Sequence, residues 1–230
     1  MADSWEELFH KNRLVPPSSQ TVRLAVENHL TANHGFQLSF SRLTVAQLPQ
    51  VIPNIYVTYQ LRVTLYDGKL QHFFGKTWKS SSQKMKNNKI SFNEVLYLHT
   101  SVLLPSTLVV VELVSLSTKP DGSYLSLGRG FSILELFTNR PEGPGTNGDR
   151  RLNLHHGSPR GLLHPSLKDS VDCKNNLVID GAHLDCVMKT HPSLNSAVHL
   201  LPEHALVSGE DNIPGLIPSP TGELFTSGKT

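Results

Sequence analysis

Ser91–Thr100, "SFNEVLYLHT", decides the fold of this chain. It alternates apolar and polar residues with the period of a strand, yet it opens on Asn93 and Glu94, residue types that strands usually avoid. The pair can be read as a metal site, as a catalytic carboxylate with its helper, or as the mouth of an ordinary strand. The surrounding sequence favours the third reading. "GFQLSFSRL" (Gly35–Leu43) and "NIYVTYQLRVTLYDG" (Asn54–Gly68) run with the same period, and Asp67–Gly68 is a tight-turn signal. "LQHFFGKTW" follows it directly, completing a hairpin. Then come "ISFNEVLYLHT", "TLVVVELVSL" and "YLSLGRGFSILELF", the last two separated by the turn "KPDGS". A Pro/Gly-rich loop, Pro141–Gly148, leads to "RRLNL", and "NNLVIDGAHLDCVMK" (Asn175–Lys189) closes the series without helical spacing. About eight strands with short turns predict an all-β chain, an antiparallel β-sandwich over residues 34–190.

The flanks read differently. In "MADSWEELFHKNRLVPP", Ser4 and Glu7 have capping-box spacing, and Trp5, Leu8 and Phe9 share one face before Pro16 and Pro17 stop a helix. Residues 1–33 are thus expected to hold a short helix and a linker, and the face of Trp5, Leu8 and Phe9 is a candidate docking face. So short a helix is marginal alone and must pack on its own domain or on a partner. Prolines recur from Pro192 to Pro220, so residues 191–230 are expected to form an extended, partly disordered tail, with one helical turn in "HLLPEHALVSG".

Composition narrows the function. A chain of 230 residues with net charge +2 has no dedicated nucleic-acid binding balance. The two cysteines, Cys173 and Cys186, lack zinc or thioredoxin-like spacing and read as thiols in a reducing compartment. The N-terminus lacks the basic head and apolar run of a signal peptide, and "LVVVELV" is too short to span a bilayer, which predicts a cytoplasmic protein. His155, His156, His164, His183, His191, His199 and His204 show no zincin spacing. In "HGSPRG" the glycine sits directly before Ser158, which breaks the G-x-S-x-G pattern. No cofactor-binding glycine loop is present, and an enzyme is not expected.

One feature is electrostatic. No acid occurs between Asp67 and Glu94, while Lys69, Lys76, Lys79, Lys84, Lys86 and Lys89 do, with Phe73, Phe74 and Trp78 among them. Lys76, Trp78, Lys79, Lys84, Lys86 and Lys89 are therefore candidates for binding acidic lipid or a partner, since each lysine near an acidic membrane contributes on the order of 1 kcal/mol. Against this stands a solvated, flexible lysine loop that keeps an edge strand soluble. In "SPRGLLHP", Leu162 and Leu163 are expected to anchor the loop and to leave Arg160 exposed as a further docking candidate.

The order of the central segments resembles that of C2 domains: a strand opening on Asn-Glu, a hydrophobic strand, a turn, then a glycine-led strand. Calcium needs six to eight oxygen ligands, and Asp67 and Asp121 alone cannot supply them, so the resemblance implies a calcium-independent C2-like domain. "HFFGKTWK", "FNEVLYLHTS", "LHHGSPRGLLHPSL" and "HLLPEHALVSGEDNIPGLIP", in this order, resemble the N-terminal region of the nephrocystin-4 family. The resemblance runs from about Trp5 to Pro218 and leaves out "SPTGELFTSGKT". It implies a fragment or short isoform of a longer scaffold of the ciliary transition zone and basal body. It also implies links to cell junctions, the cytoskeleton and signalling. The implied partners are nephrocystin-1 and the retinitis pigmentosa GTPase regulator-interacting protein family. The alternative is a peripheral membrane module that reads an acidic membrane surface through its lysines.

Overall fold

Period-two patterning produces strands throughout the computed structural model. The structure describes residues 34–46, 56–100, 107–119, 122–137, 147–163, 178–191, 194, 203–211, 216–218 and 224–226. Residues 1–33, with the expected helix and Trp5, Leu8 and Phe9, lie outside them. The strands are β1 (His34–Thr44), β2 (Val57–Asp67), β3 (His72–Lys79), β4 (Lys89–Thr100), β5 (Thr107–Thr118), β6 (Tyr124–Glu135), β7 (Gly148–His155), β8 (Val178–Thr190), β9 (Val207–Ser208), β10 (Leu216–Pro218) and β11 (Leu224–Thr226). β10 and β11 pair with each other; the other nine form one antiparallel series, β3-β2-β5-β6-β7-β8-β1-β4-β9.

That series folds into two layers. β3-β2-β5-β6 and β7-β8-β1-β4-β9 meet in the ladder at a single pair, Phe131 with His155. The junction requires Gly130, whose φ is +133° and on which a Cβ would stand 2.6 Å from the His155 carbonyl oxygen. One core fills the space between the layers. Leu61, Val63, Val109, Val111 and Leu113 supply one side, and Phe36, Leu38, Phe40, Leu96, Leu98, Leu184 and Met188 the other. The side chains alternate because successive Cβ atoms point to opposite faces, which brings every second residue inward. The result is an antiparallel, C2-like β-sandwich.

A second, smaller cluster explains why "LVVVELV" is apolar on both faces. Leu108 and Val110 point away from the main core and are buried with Tyr66, Phe131 and Leu162. The 3₁₀ turn Pro159–Leu163 lies over this outer face, and the Tyr66 hydroxyl donates to the Leu162 carbonyl at 2.6 Å. Leu162 anchors the turn; Leu163 is 45% exposed and does not share that role.

The described part of "HLLPEHALVSG", residues 203–209, is an edge strap rather than a helical turn. His204 takes a left-handed φ of 65°, and its N–H donates to the His99 carbonyl at 3.1 Å instead of to its own segment. Val207 and Ser208 then pair with Tyr97 and Leu96, and the Gly209 N–H donates to the Val95 carbonyl at 2.8 Å. On the opposite edge, β3 carries a bulge at Gly75–Thr77. Gly75, at φ +73°, brings its backbone so near the strap that a Cβ would lie 3.0 Å from the His204 carbonyl oxygen.

Candidate interaction surfaces

The opening Asn-Glu pair positions the lysine-bearing segment. Phe92 and Asn93 together face Ser41, one residue of β1, so β4 bulges there. Asn93 supplies the left-handed backbone, φ 52°, that such a bulge uses and that Asn tolerates better than most residues. Past the bulge, Glu94 reaches Ser81, accepting from its N–H at 3.1 Å and its hydroxyl at 2.8 Å. Gln83 bridges to Tyr59, and Met85 packs on the main core. Lys86 and Lys89 then exchange backbone bonds across Asn87 and Asn88, whose φ values of 50° and 60° suit a primed hairpin turn. Residues 80–89, expected to be a loose solvated loop, are thus tied down along their length.

The six candidate positions in this region divide among three places. Lys76, Trp78 and Lys79 lie on β3, in the wall of a groove of about 680 Å³ between the two ends of the strand series. Phe92, Asn93 and Glu94 of β4 line it too, and Leu206, Ser208, Glu210 and Asp211 of the strap close its far side. This groove combines an apolar surface with charges of both signs. Lys86 and Lys89 flank the Asn87–Asn88 turn, which is tied to the end of β1 by Val45 N–H donating to the Asn88 carbonyl at 3.0 Å.

Lys84 stands at the third place, an end of the sandwich that carries exposed aromatics. Its ammonium lies 4.8 Å from the centre of the Tyr56 ring. Val57 pairs with Ser117 and Thr118 with Tyr124, so the start of β2, the end of β5 and the start of β6 share this end. Tyr56 is 63% and Tyr124 87% exposed, and Lys119 is exposed beside them. Sequence reading missed Tyr56 and Tyr124, because each sits at the mouth of a strand whose pattern gave it no distinct role.

Arg160 is exposed on the 3₁₀ turn, over the outer face of β2 and β5. Beneath it, burial raises the Glu112 carboxyl above the usual range, while the positive charges of Arg62 and Arg160 oppose that rise. Cys186 is buried, and its thiol is pushed up to about 12, mainly by burial. His204 is held below the ordinary imidazole value, first by burial; Glu203 raises it and His99 lowers it further. Its Nε2 lies 2.9 Å from the Thr100 hydroxyl. Among the described residues, no group of three or more His, Cys, Asp or Glu side chains could hold a metal ion. No helix among them is long and apolar enough to cross a membrane.

No protein-family model matches the chain. Nephrocystin-4 from Homo sapiens is 40% identical to it over 223 residues, which is 94% of this chain. The chain is homologous to nephrocystin-4. Nephrocystin-4 from Xenopus laevis is 36% identical over 223 residues, again 94% of the chain. In both cases the match takes in only 15% of the relative, so the chain spans a small part of the length of the nephrocystin-4 proteins it resembles.

Proposed function

We propose that this chain is a non-catalytic interaction module of a ciliary scaffold, working in the cytoplasm at the transition zone and basal body. The observation that carries this reading is the homology to nephrocystin-4 along 94% of the chain. The sandwich is consistent with it: open strand edges and loop ends offer docking surfaces on a rigid frame. The partners proposed are nephrocystin-1 and the retinitis pigmentosa GTPase regulator-interacting protein family, with cell junctions as a second location. Arg160 and the segment with Trp5, Leu8 and Phe9 remain candidate docking positions. Retention of either purified partner by the immobilised, folded chain tests the assignment. Failure with both rules out these partners for this portion.

A second reading is supported by the aromatic end of the sandwich. Tyr56, Tyr124, Lys84 and Lys119 together present amphipathic rings and positive charge, a combination suited to the interface of an acidic membrane. In this reading the contact is calcium-independent. It centres on Lys84 rather than on Lys76 and Lys79, which share their groove with Glu94, Glu210 and Asp211.

A further inference from the structure

We propose that Ser158 is a phosphorylation site for a proline-directed serine kinase, and that Arg160, Arg62 and Lys79 receive the phosphate it acquires. A serine followed by a proline occurs twice in the chain; in the other pair, Ser219 with Pro220, both residues lie outside the described ones. Kinases of this class select a proline after the serine, the residue type with no backbone N–H to leave unpaired in the enzyme's cleft. The stretch is open to such an enzyme. His156, Gly157, Ser158, Arg160 and Gly161 are exposed, and Pro159 is half-buried. Gly157, at φ +94°, has nothing within 4 Å of where a Cβ would stand. The Ser158 hydroxyl accepts from the Arg160 N–H at 3.4 Å and donates to no group among the described residues. Transfer forms a bond from the serine Oγ to the γ-phosphorus of ATP as the bond to the β,γ-bridging oxygen breaks. The hydroxyl proton goes to the kinase's catalytic base, and ADP leaves.

The sheet beneath the turn supplies the receptor. Pro159, next to the serine, forms part of the wall of a cleft of about 250 Å³ whose lining also includes Arg62, Lys79, Thr64, Thr77 and Glu112. Arg62 and Lys79 are cross-strand partners on β2 and β3, so their side chains share this outer face. The Arg62 Nη2 donates to the Ser126 hydroxyl at 3.0 Å, and its Nε is buried with no hydrogen-bond partner among the described residues. Lys79 is exposed. Among the described residues Glu112 is the one acid in the lining, and both Arg62 and Arg160 act on its charge, which places the two guanidiniums near it. Burial already disfavours the charged form of Glu112. A phosphate with close to two negative charges and three acceptor oxygens therefore outcompetes it for the arginines. Phosphorylation converts a turn held by Leu162 into one that is also held by charge.

The test treats the full 230-residue chain, carrying Ser219→Ala, with ATP and a purified cyclin-dependent or mitogen-activated protein kinase, and maps the product by mass spectrometry. One phosphate is expected, on Ser158, and none on the Ser158→Ala variant. The phosphorus resonance should then titrate at least about half a pH unit below that of the free phosphopeptide of residues 155–163, whose midpoint is about 6, because the cations favour the dianion. Arg62→Gln should remove most of that shift. Because Arg62 also holds Ser126, Lys79→Gln at its exposed position serves as a second variant and should remove part of it. Cooperative thermal unfolding checks that both variants are folded. A folded chain left unmodified while the peptide accepts phosphate would show that the fold withholds Ser158, and would overturn the proposal. Failure of the peptide as well would overturn it at the Ser-Pro pair itself. Equal midpoints in protein and peptide, or a shift that neither variant alters, would overturn the cationic receptor.

Discussion

Glu94 grips Ser81 at two points, through the backbone N–H and the hydroxyl, and so joins the start of β4 to the segment that leaves β3. A carboxylate in a strand mouth here replaces a missing ladder. It satisfies donors that no neighbouring strand reaches among the described residues, beside the bulge made by Asn93. Glu94→Ala is expected to cost about 1 kcal/mol, a loss of about 2–4 °C in the unfolding midpoint. Exchange at residues 81–83 should accelerate more than anywhere in the core. Glu94→Gln keeps one acceptor oxygen and should recover part of the loss.

The junction between the layers depends on a missing side chain. Gly130→Ala places a Cβ against the His155 carbonyl in a conformation that L-residues rarely adopt. The expected destabilisation is at least about 2 kcal/mol, read as a fall in the denaturant midpoint. Gly122→Ala is the informative comparison. It shares a positive φ but meets nothing within 4 Å, so it carries backbone strain without the clash and should cost less.

The strap should loosen in acid. His204 has its folded pKa lowered, chiefly by burial, so the unfolded chain takes up a proton first as pH falls. Its contribution is complete above the ordinary imidazole value of about 6.5 and is lost as pH falls from there towards the folded value. His99 opposes its protonation and Glu203 favours it, so the fall is moderated but not reversed. Urea midpoints measured between neutral and mildly acidic pH should decline for the wild type. The slope should be smaller for His204→Gln.

Cys186 should be inert in the folded chain. A buried thiol whose pKa stands near 12 holds almost no thiolate at neutral pH, and the thiolate is the reactive form. Iodoacetamide labelling followed by peptide mapping should leave Cys186 unmodified until denaturant is added. Rapid native labelling would place it at the surface.

The aromatic end makes a separate prediction for membranes. Each lysine near an acidic surface contributes about 1 kcal/mol, so Lys84→Glu combined with Lys119→Glu should reduce co-sedimentation with phosphatidylserine vesicles by at least about tenfold. Equal pelleting with neutral and acidic vesicles in the wild type would remove the membrane reading. Lys76→Glu should matter far less, because Glu94, Glu210 and Asp211 line the same groove.

Much of the sandwich was legible because burial imposes period two on each strand. Leu38, Leu61 and Leu184 announce their face by the polar residues beside them. Leu108 and Val110 were legible as strand but not as a second buried face, since the covering turn at Leu162 is more than fifty positions away. The order of residues 80–89 was hidden for a similar reason. Ser, Gln, Lys and Asn read as solvated, and the groups that hold them, Glu94 and Tyr59, lie outside the segment. Asn87–Asn88 carried the one local signal, a dipeptide that tolerates left-handed backbone. The groove was not legible at all, because it arises where the two ends of the strand series approach.

The central claim is that this nephrocystin-4-like portion docks proteins by itself. Titration of the purified, folded chain with purified nephrocystin-1, and separately with the retinitis pigmentosa GTPase regulator-interacting protein, tests it most directly. The account predicts saturable binding to at least one of them at micromolar concentration or below. Absence of binding to both, with the chain shown to be folded by its cooperative thermal transition, would contradict it.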